Sequence, residues 1–100
     1  MFIKDMFSRI KPTISFEIFP PNKDYPIETI YDTIDALKDL RPDFVSVTYS
    51  AGGSGSVHKT LEIASIVKNK YNIEALAHLT CITSTKQKIH DTLYELKKTI

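Results

Sequence analysis

The hydrophobic pattern of this chain changes its period repeatedly along the sequence. Three short runs rich in β-branched and aromatic residues, at 13–19, 44–49 and 73–79, have the composition of strands. Each run is followed by a stretch whose apolar residues recur every three or four positions, as they do on the buried face of a helix. Three successive strand-then-helix units predict an α/β fold in which parallel strands are joined by right-handed crossovers.

The helix boundaries are marked by residues that favour helix ends. The first helix is predicted to begin at Pro26, which suits a first turn, and to end before Pro42. The third should begin at Ser84, because Ser84 and Gln87 have the spacing of a capping box, and should continue to Ile100. The expected apolar stripes are Ile27, Ile30, Tyr31, Ile34, Leu37 and Leu40 in the first helix, Leu61, Ala64, Val67 and Tyr71 in the second, and Ile89, Leu93, Leu96 and Ile100 in the third.

Composition limits the class of protein. One hundred residues with 42% hydrophobic content and a net charge of +1 indicate one soluble domain and give no reason to expect binding to nucleic acid or to a membrane. The first eleven residues lack the uninterrupted apolar centre of a signal peptide. The single cysteine, Cys81, excludes an intrachain disulfide and is expected to be a small buried residue, so the cytoplasm is the expected compartment.

Polar residues lie near the ends of the predicted strands. Alternation places Glu17, Thr48 and His78 near the carboxyl ends of three consecutive parallel strands, on one surface of the sheet. The strands of an open doubly wound sheet are apolar on both faces. The strands of a (β/α)8 barrel can carry polar residues that point inward at their carboxyl ends, which is where barrel enzymes place their active sites. Both architectures fit the order of elements, and these polar residues favour the barrel.

Glu17 is the candidate general acid. A carboxyl group at such a place is expected to be partly shielded from water, and this favours its protonated form near neutral pH. Two alternatives are equally compatible with the pattern: Glu17 could pair with a lysine or arginine on a later strand, or it could point to water from an edge strand.

The other candidate groups are less specific. His78 could bond to a ligand or stack on an aromatic cofactor, but a single histidine of this kind is more often a satisfied core residue. His58 and His90 fall in helical patterns and are expected to face solvent, and no spacing predicts a metal site. The glycine loop at 50–56 could present backbone amides to an anionic group or be a simple connection, since its spacing matches no nucleotide-binding fingerprint.

Three motifs, in this order, resemble the beginning of the methylenetetrahydrofolate reductase family. They are Ser-Phe-Glu-Ile-Phe-Pro-Pro at 15–21, Pro-Asp-Phe-Val-Ser-Val-Thr-Tyr-Ser-Ala-Gly-Gly-Ser at 42–54 and Ala-His-Leu-Thr-Cys at 77–81. The resemblance implies a (β/α)8 TIM barrel, of which this chain supplies about the first three βα units. Residues 1–100 would then be the N-terminal part of a single flavin-binding barrel that continues beyond Ile100, where the apolar stripe has no glycine or proline stop.

The resemblance also implies an activity and a set of site residues. The family reduces 5,10-methylenetetrahydrofolate to 5-methyltetrahydrofolate with FAD, in one-carbon metabolism and methionine biosynthesis. It makes Glu17 the acid that protonates the folate, and it assigns Thr48, Tyr49, Ala51 and His78 to the flavin and nicotinamide neighbourhood. Electrons would come from NADH, NADPH or a redox partner protein, and the full-length enzyme is expected to form a homo-oligomer.

The sequence bears on two other classes of function. The chain could be a non-catalytic fragment or interaction module that needs a second chain to complete the barrel, since three units cannot close one and the third strand would have an unpaired edge. A barrel lyase or aldolase would need a lysine nucleophile or metal ligands at these strand ends, and the sequence has neither there.

Overall fold

A computed structural model describes residues 1–21, 26–49 and 57–100 of the chain, with the side chain at position 57 excepted. Strands and helices alternate, as the hydrophobic period predicted, after a short helix at the N-terminus. The elements are α1 (Ile3–Met6), β1 (Ser15–Ile18), α2 (Glu28–Leu37) with a 3-10 turn (Lys38–Leu40), β2 (Phe44–Val47), α3 (Val57–Asn69), β3 (Glu74–Ala77) and α4 (Lys86–Thr99).

The three strands form a parallel sheet in the order β1-β2-β3. The register places Glu17 beside Ser46, and Ser46 beside Leu76. Side chains in register on neighbouring strands point to the same face of a sheet. Backbone hydrogen bonds continue the ladder past the strand ends, since the Thr48 amide donates to the Ile18 carbonyl at 3.0 Å and the His78 amide donates to the Val47 carbonyl at 2.9 Å.

The apolar core lies on one face of this sheet, beneath α2 and α3. Val47, Ile63 and Val67 are completely excluded from solvent. Full burial of a side chain of this size stabilises a fold by about 1.5–3 kcal/mol, so the helix layer on this face contributes much of the stability. The whole buried apolar cluster comprises Ile18, Ile30, Ile34, Val45, Val47, Ile63, Ala64, Val67 and Ala75.

Each crossover reaches its next strand through a residue in the left-handed backbone region. Arg41, with φ of 52°, ends the 3-10 turn before β2, and Asn72, with φ of 55°, follows α3 before β3. A left-handed residue ends a helix by turning the chain, and asparagine tolerates this conformation better than other non-glycine residues do. These turns bring the chain back from the helix layer to the sheet.

Two carboxylates at the amino ends of the strands are held in ion pairs. Asp43 accepts a hydrogen bond from the Ile14 amide at 2.9 Å and one from Arg9 at 2.6 Å, and both interactions lower the pKa of the Asp43 carboxyl. Glu74 accepts a hydrogen bond from Lys68 at 2.6 Å, which is the main reason that its pKa is lowered. The first pair fastens the segment after α1 to the start of β2, and the second joins α3 to the start of β3.

Several details differ from the sequence-based expectations. The N-cap of α4 is Thr85, whose hydroxyl accepts a hydrogen bond from the Lys88 amide at 3.1 Å, so the prediction that Ser84 caps this helix was wrong by one residue. The prediction that Cys81 is buried was also wrong, because it lies after β3 ends and is exposed. Leu40 is 66% exposed because the 3-10 turn rotates it off the apolar stripe.

The N-terminal helix α1 was not anticipated, since a four-residue helix is too short to show a period. The strands are also shorter than the three sequence runs, because the outer residues of each run lie beyond the paired segment. Within the described residues, no helix is long and apolar enough to cross a membrane. The parallel three-stranded sheet with intervening helices agrees with the start of the predicted βα architecture.

Candidate active site

The face of the sheet opposite the helix layer carries the polar candidates. Glu17, Ser46 and Leu76 form one row across the three strands. His78 follows Leu76 by two residues, just past the end of β3. In the described part of the chain no helix layer covers this row: Leu76 is 36% exposed, and the side chain of Glu17 is 51% exposed. The side chains can therefore be reached from one side of the sheet.

Glu17 and His78 come together, as the alternation pattern predicted. His78 Nε2 lies 3.5 Å from Glu17 Oε1. The same carboxylate oxygen accepts a hydrogen bond of 3.2 Å from the hydroxyl of Ser46, a residue with only 8% of its surface exposed. The backbone register produces this contact, because adjacent parallel strands lie about 4.8 Å apart and a serine side chain is long enough to reach its neighbour.

Among the described residues, no lysine or arginine forms an ion pair with Glu17. The sequence alternative in which a basic residue neutralises this carboxylate is therefore not seen within the described segment. The expected shielding from water is not seen there either, because the uncovered face leaves half of the side chain exposed.

Thr48 and Tyr49 follow β2 directly, and both are half-buried. The backbone of Thr48 is fixed at both ends, since its amide bonds to Ile18 and its carbonyl accepts the Thr60 hydroxyl of α3 at 3.0 Å. This hydrogen bond sets the position of α3 relative to the carboxyl end of β2. Ala51 and the glycine loop of residues 50–56 lie outside the described residues.

The segment after β3 adds a further polar group. The Thr80 side-chain oxygen is buried and has no hydrogen-bond partner among the described residues. Buried hydroxyl groups are nearly always hydrogen-bonded in native proteins, so such an atom marks a place where a ligand or a further part of a protein can supply a partner. His58 and His90 are exposed on their helices, as expected, and the described residues contain no cluster suited to a metal ion.

The sequence predicted no role for Ser46. Glu17 and Ser46 are separated by 29 positions in the chain, so their hydrogen bond depends on the register of β1 and β2. The relevant signal was the serine itself, since a polar residue in the middle of an otherwise apolar central strand needs a hydrogen-bond partner on a neighbouring strand.

Comparisons with known proteins agree on one family. A sequence profile of the methylenetetrahydrofolate reductase family matches residues 3–99. The 5,10-methylenetetrahydrofolate reductase of Pectobacterium carotovorum is 41% identical over 78 residues, which is 78% of this chain and 26% of that protein. The enzyme of the same name from Escherichia coli is 42% identical over 76 residues, covering 76% of this chain and 25% of that protein.

A plant relative extends the match almost to the whole chain. Methylenetetrahydrofolate reductase (NADH) 1 of Arabidopsis thaliana is 35% identical over 95 residues, which is 95% of this chain and 16% of that protein. The chain spans about a quarter of the length of the bacterial relatives that it matches. Because the family profile covers nearly every residue and the matched segment has the βα order described above, the chain belongs to the methylenetetrahydrofolate reductase family.

Proposed function

We propose that this chain provides the general acid and part of the flavin site of an enzyme that reduces 5,10-methylenetetrahydrofolate to 5-methyltetrahydrofolate. The single observation that supports this most strongly is the position of Glu17. Its carboxylate lies on the uncovered face of the sheet, contacts a serine and a histidine, and has no lysine or arginine partner among the described residues. Family membership supports the folate as substrate, and the cytoplasm is the compartment that we propose.

The chemical requirement for an acid follows from the substrate and the product. Converting the methylene bridge into a methyl group breaks one carbon–nitrogen bond, and the nitrogen that leaves must gain a proton. Glu17 donates this proton, and the carboxylate that remains is stabilised by the Ser46 hydroxyl at 3.2 Å. A positioned acid of this kind contributes about 100-fold to 10,000-fold to a rate.

The chain's residues fit a contribution to FAD binding. When bound, FAD supplies the two-electron transfer between a nicotinamide donor and the folate. His78 has a side chain that is 40% exposed beside Glu17, and Thr80 has a buried oxygen without a partner among the described residues. These groups can bond to the polar edge of a flavin, and we assign Thr48, Tyr49 and Ala51 to the same neighbourhood on the strength of the family motif.

We further propose that the segment is the N-terminal part of a (β/α)8 barrel. In the described part of the chain β1 and β3 each pair only with β2, so each has one edge without a neighbour, and Ile14 beside β1 is 58% exposed. Additional strands would pair with these edges and would cover the face that carries Glu17. The same unpaired edges favour a second candidate function, a non-catalytic module that completes its sheet with a second chain.

The test uses the full-length gene product, purified and weighed by mass spectrometry. After FAD is added and the excess removed, we expect a bound flavin absorbance band and formation of 5-methyltetrahydrofolate with NADH or NADPH. A protein that has the mass of this chain alone, stays colourless and produces no 5-methyltetrahydrofolate would contradict the reductase and support the module. Co-purification with a second protein would then identify the chain that completes the sheet.

A further inference from the structure

Ser46 and His78 approach the same oxygen of Glu17 from two different strands. The Ser46 hydroxyl donates to Oε1 at 3.2 Å, and His78 Nε2 lies 3.5 Å from that same oxygen. Neither contact involves Oε2. Among the described residues, the carboxyl group is therefore contacted at one oxygen, although its side chain is about half exposed.

Ser46 is well suited to hold another side chain in place. It occupies the central strand, has 8% of its surface exposed and is fixed between β1 and β3 by the parallel ladder. A buried hydroxyl has few rotamers available and needs a partner, and Glu17 Oε1 is the acceptor that the register provides. An exposed glutamate would otherwise sample many orientations, which costs conformational entropy whenever it must adopt one.

We infer that Ser46 is a positioning residue for Glu17, whose carboxyl group it holds in one orientation through Oε1. The inference rests on the proposed role of Glu17 as the acid. Holding the acid in one orientation raises the rate of proton transfer without any contact between Ser46 and the substrate.

The experiment uses the full-length gene product and measures two half-reactions separately. One is reduction of the flavin by the nicotinamide donor, and the other is reduction of the folate by the flavin. Ser46→Thr and Ser46→Val are matched variants, because threonine and valine have nearly the same shape and differ by the hydroxyl. We expect the folate step to be about 10-fold slower in Ser46→Val than in Ser46→Thr, as the loss of one hydrogen bond to a charged group predicts. Electron transfer from the nicotinamide donor to the flavin should be equal in the two variants, and so should the folate KM.

A control variant removes an equally buried hydroxyl elsewhere. Thr92 in α4 is also 8% exposed and bonds to the Lys88 carbonyl, so Thr92→Val loses a hydroxyl without touching the polar face. It should leave both half-reactions at the wild-type rate. The inference would be overturned if Ser46→Val slowed both half-reactions equally, or if Ser46→Val and Ser46→Thr reduced folate at the same rate. Either result would leave the proposed reductase function in place. A wild-type protein that reduces no folate would instead overturn the proposed function itself, and this inference with it.

Discussion

The two ends of the parallel sheet treat their carboxylates differently. At the amino end, Asp43 and Glu74 each accept a short hydrogen bond of 2.6 Å from a basic side chain, Arg9 and Lys68 respectively. Nearer the carboxyl end, the partners of Glu17 among the described residues are a hydroxyl and an imidazole. The pKa of the carboxyl group is lowered at both amino-end residues, so both remain ionised in the folded chain.

This difference agrees with the proposed role of Glu17 as the acid. A carboxylate fixed by a cation joins neighbouring elements, but it is a poor proton donor because the cation stabilises its ionised form. Glu17 has no lysine or arginine partner among the described residues. Barrel enzymes divide their sheets in the same way, with stability at the amino ends of the strands and chemistry at the carboxyl ends.

The largest expected effect comes from removing the acid. In the full-length gene product, Glu17→Gln should slow folate reduction by about 100-fold to 10,000-fold, because the amide cannot supply the proton. Flavin absorbance should remain at the wild-type level. The free energy of unfolding should change by less than about 0.5 kcal/mol, since the side chain is half exposed and has no ion pair with lysine or arginine among the described residues.

The matched control is Glu74→Gln, which makes the same chemical change at the opposite end of the sheet. It should leave the folate reduction rate of the folded protein unchanged. Folate turnover that survives in Glu17→Gln, or that is lost equally in Glu74→Gln, would remove the distinction between the two ends.

The second effect is the loss of stability in acid. The pKa values of Asp43 and Glu74 lie below their ordinary values of 3.8 and 4.5, so in the unfolded chain these groups take up protons at higher pH than in the folded chain. Their contribution is fully present above the ordinary values and is lost as pH falls through the folded pKa values. The urea midpoint should therefore fall as the pH is lowered below about 5.

An Asp43→Asn, Glu74→Gln double variant provides the comparison for this measurement. Its urea midpoint should be lower at neutral pH and should change less with pH than the midpoint of the wild type. Parallel pH profiles for the two proteins would show that other groups cause the acid sensitivity and that the amino-end ion pairs are not structural.

Much of this arrangement was readable from the sequence, and the exceptions have physical causes. The order of strands and helices follows from hydrophobic period, and the alternation within each strand placed Glu17 and His78 on one face. The role of Ser46 as a hydrogen-bond partner of Glu17 could not be predicted, because this hydrogen bond depends on the register of two strands that are distant in sequence. Cys81 was misplaced for a related reason: composition suggests burial, but the strand ends at Ala77, before that residue.

The third effect is the contribution of the ion pairs of Glu74, whose Oε1 lies 2.6 Å from the Lys68 ammonium group and 3.3 Å from the N-terminal ammonium group. Glu74→Gln should lower the free energy of unfolding by about 1 kcal/mol, the upper end of the range for surface pairs, because its side chain and that of Lys68 are only 23% and 30% exposed. Lys68→Met should produce a smaller loss, because Glu74 keeps the N-terminal ammonium group as a partner. The double variant should be no less stable than the worse of the two single variants. Losses that simply add in the double variant would show that the two side chains do not interact.

The smallest effect concerns a solvent-exposed ion pair near the amino end of the sheet. Asp35 and Lys38 lie 3.2 Å apart at the end of α2, with side chains that are 52% and 45% exposed. The Lys38 hydrogen bond lowers the pKa of Asp35, but water and salt screen an exposed pair of this kind. Asp35→Asn should therefore leave the urea midpoint unchanged within error. A urea midpoint as low as that of Glu74→Gln would mean that an ion pair stabilises the fold because it lies near the amino end of the sheet, and not because it is partly buried. An unchanged midpoint would mean that the stabilising ion pairs are those that join the helices and the N-terminal segment to the strands.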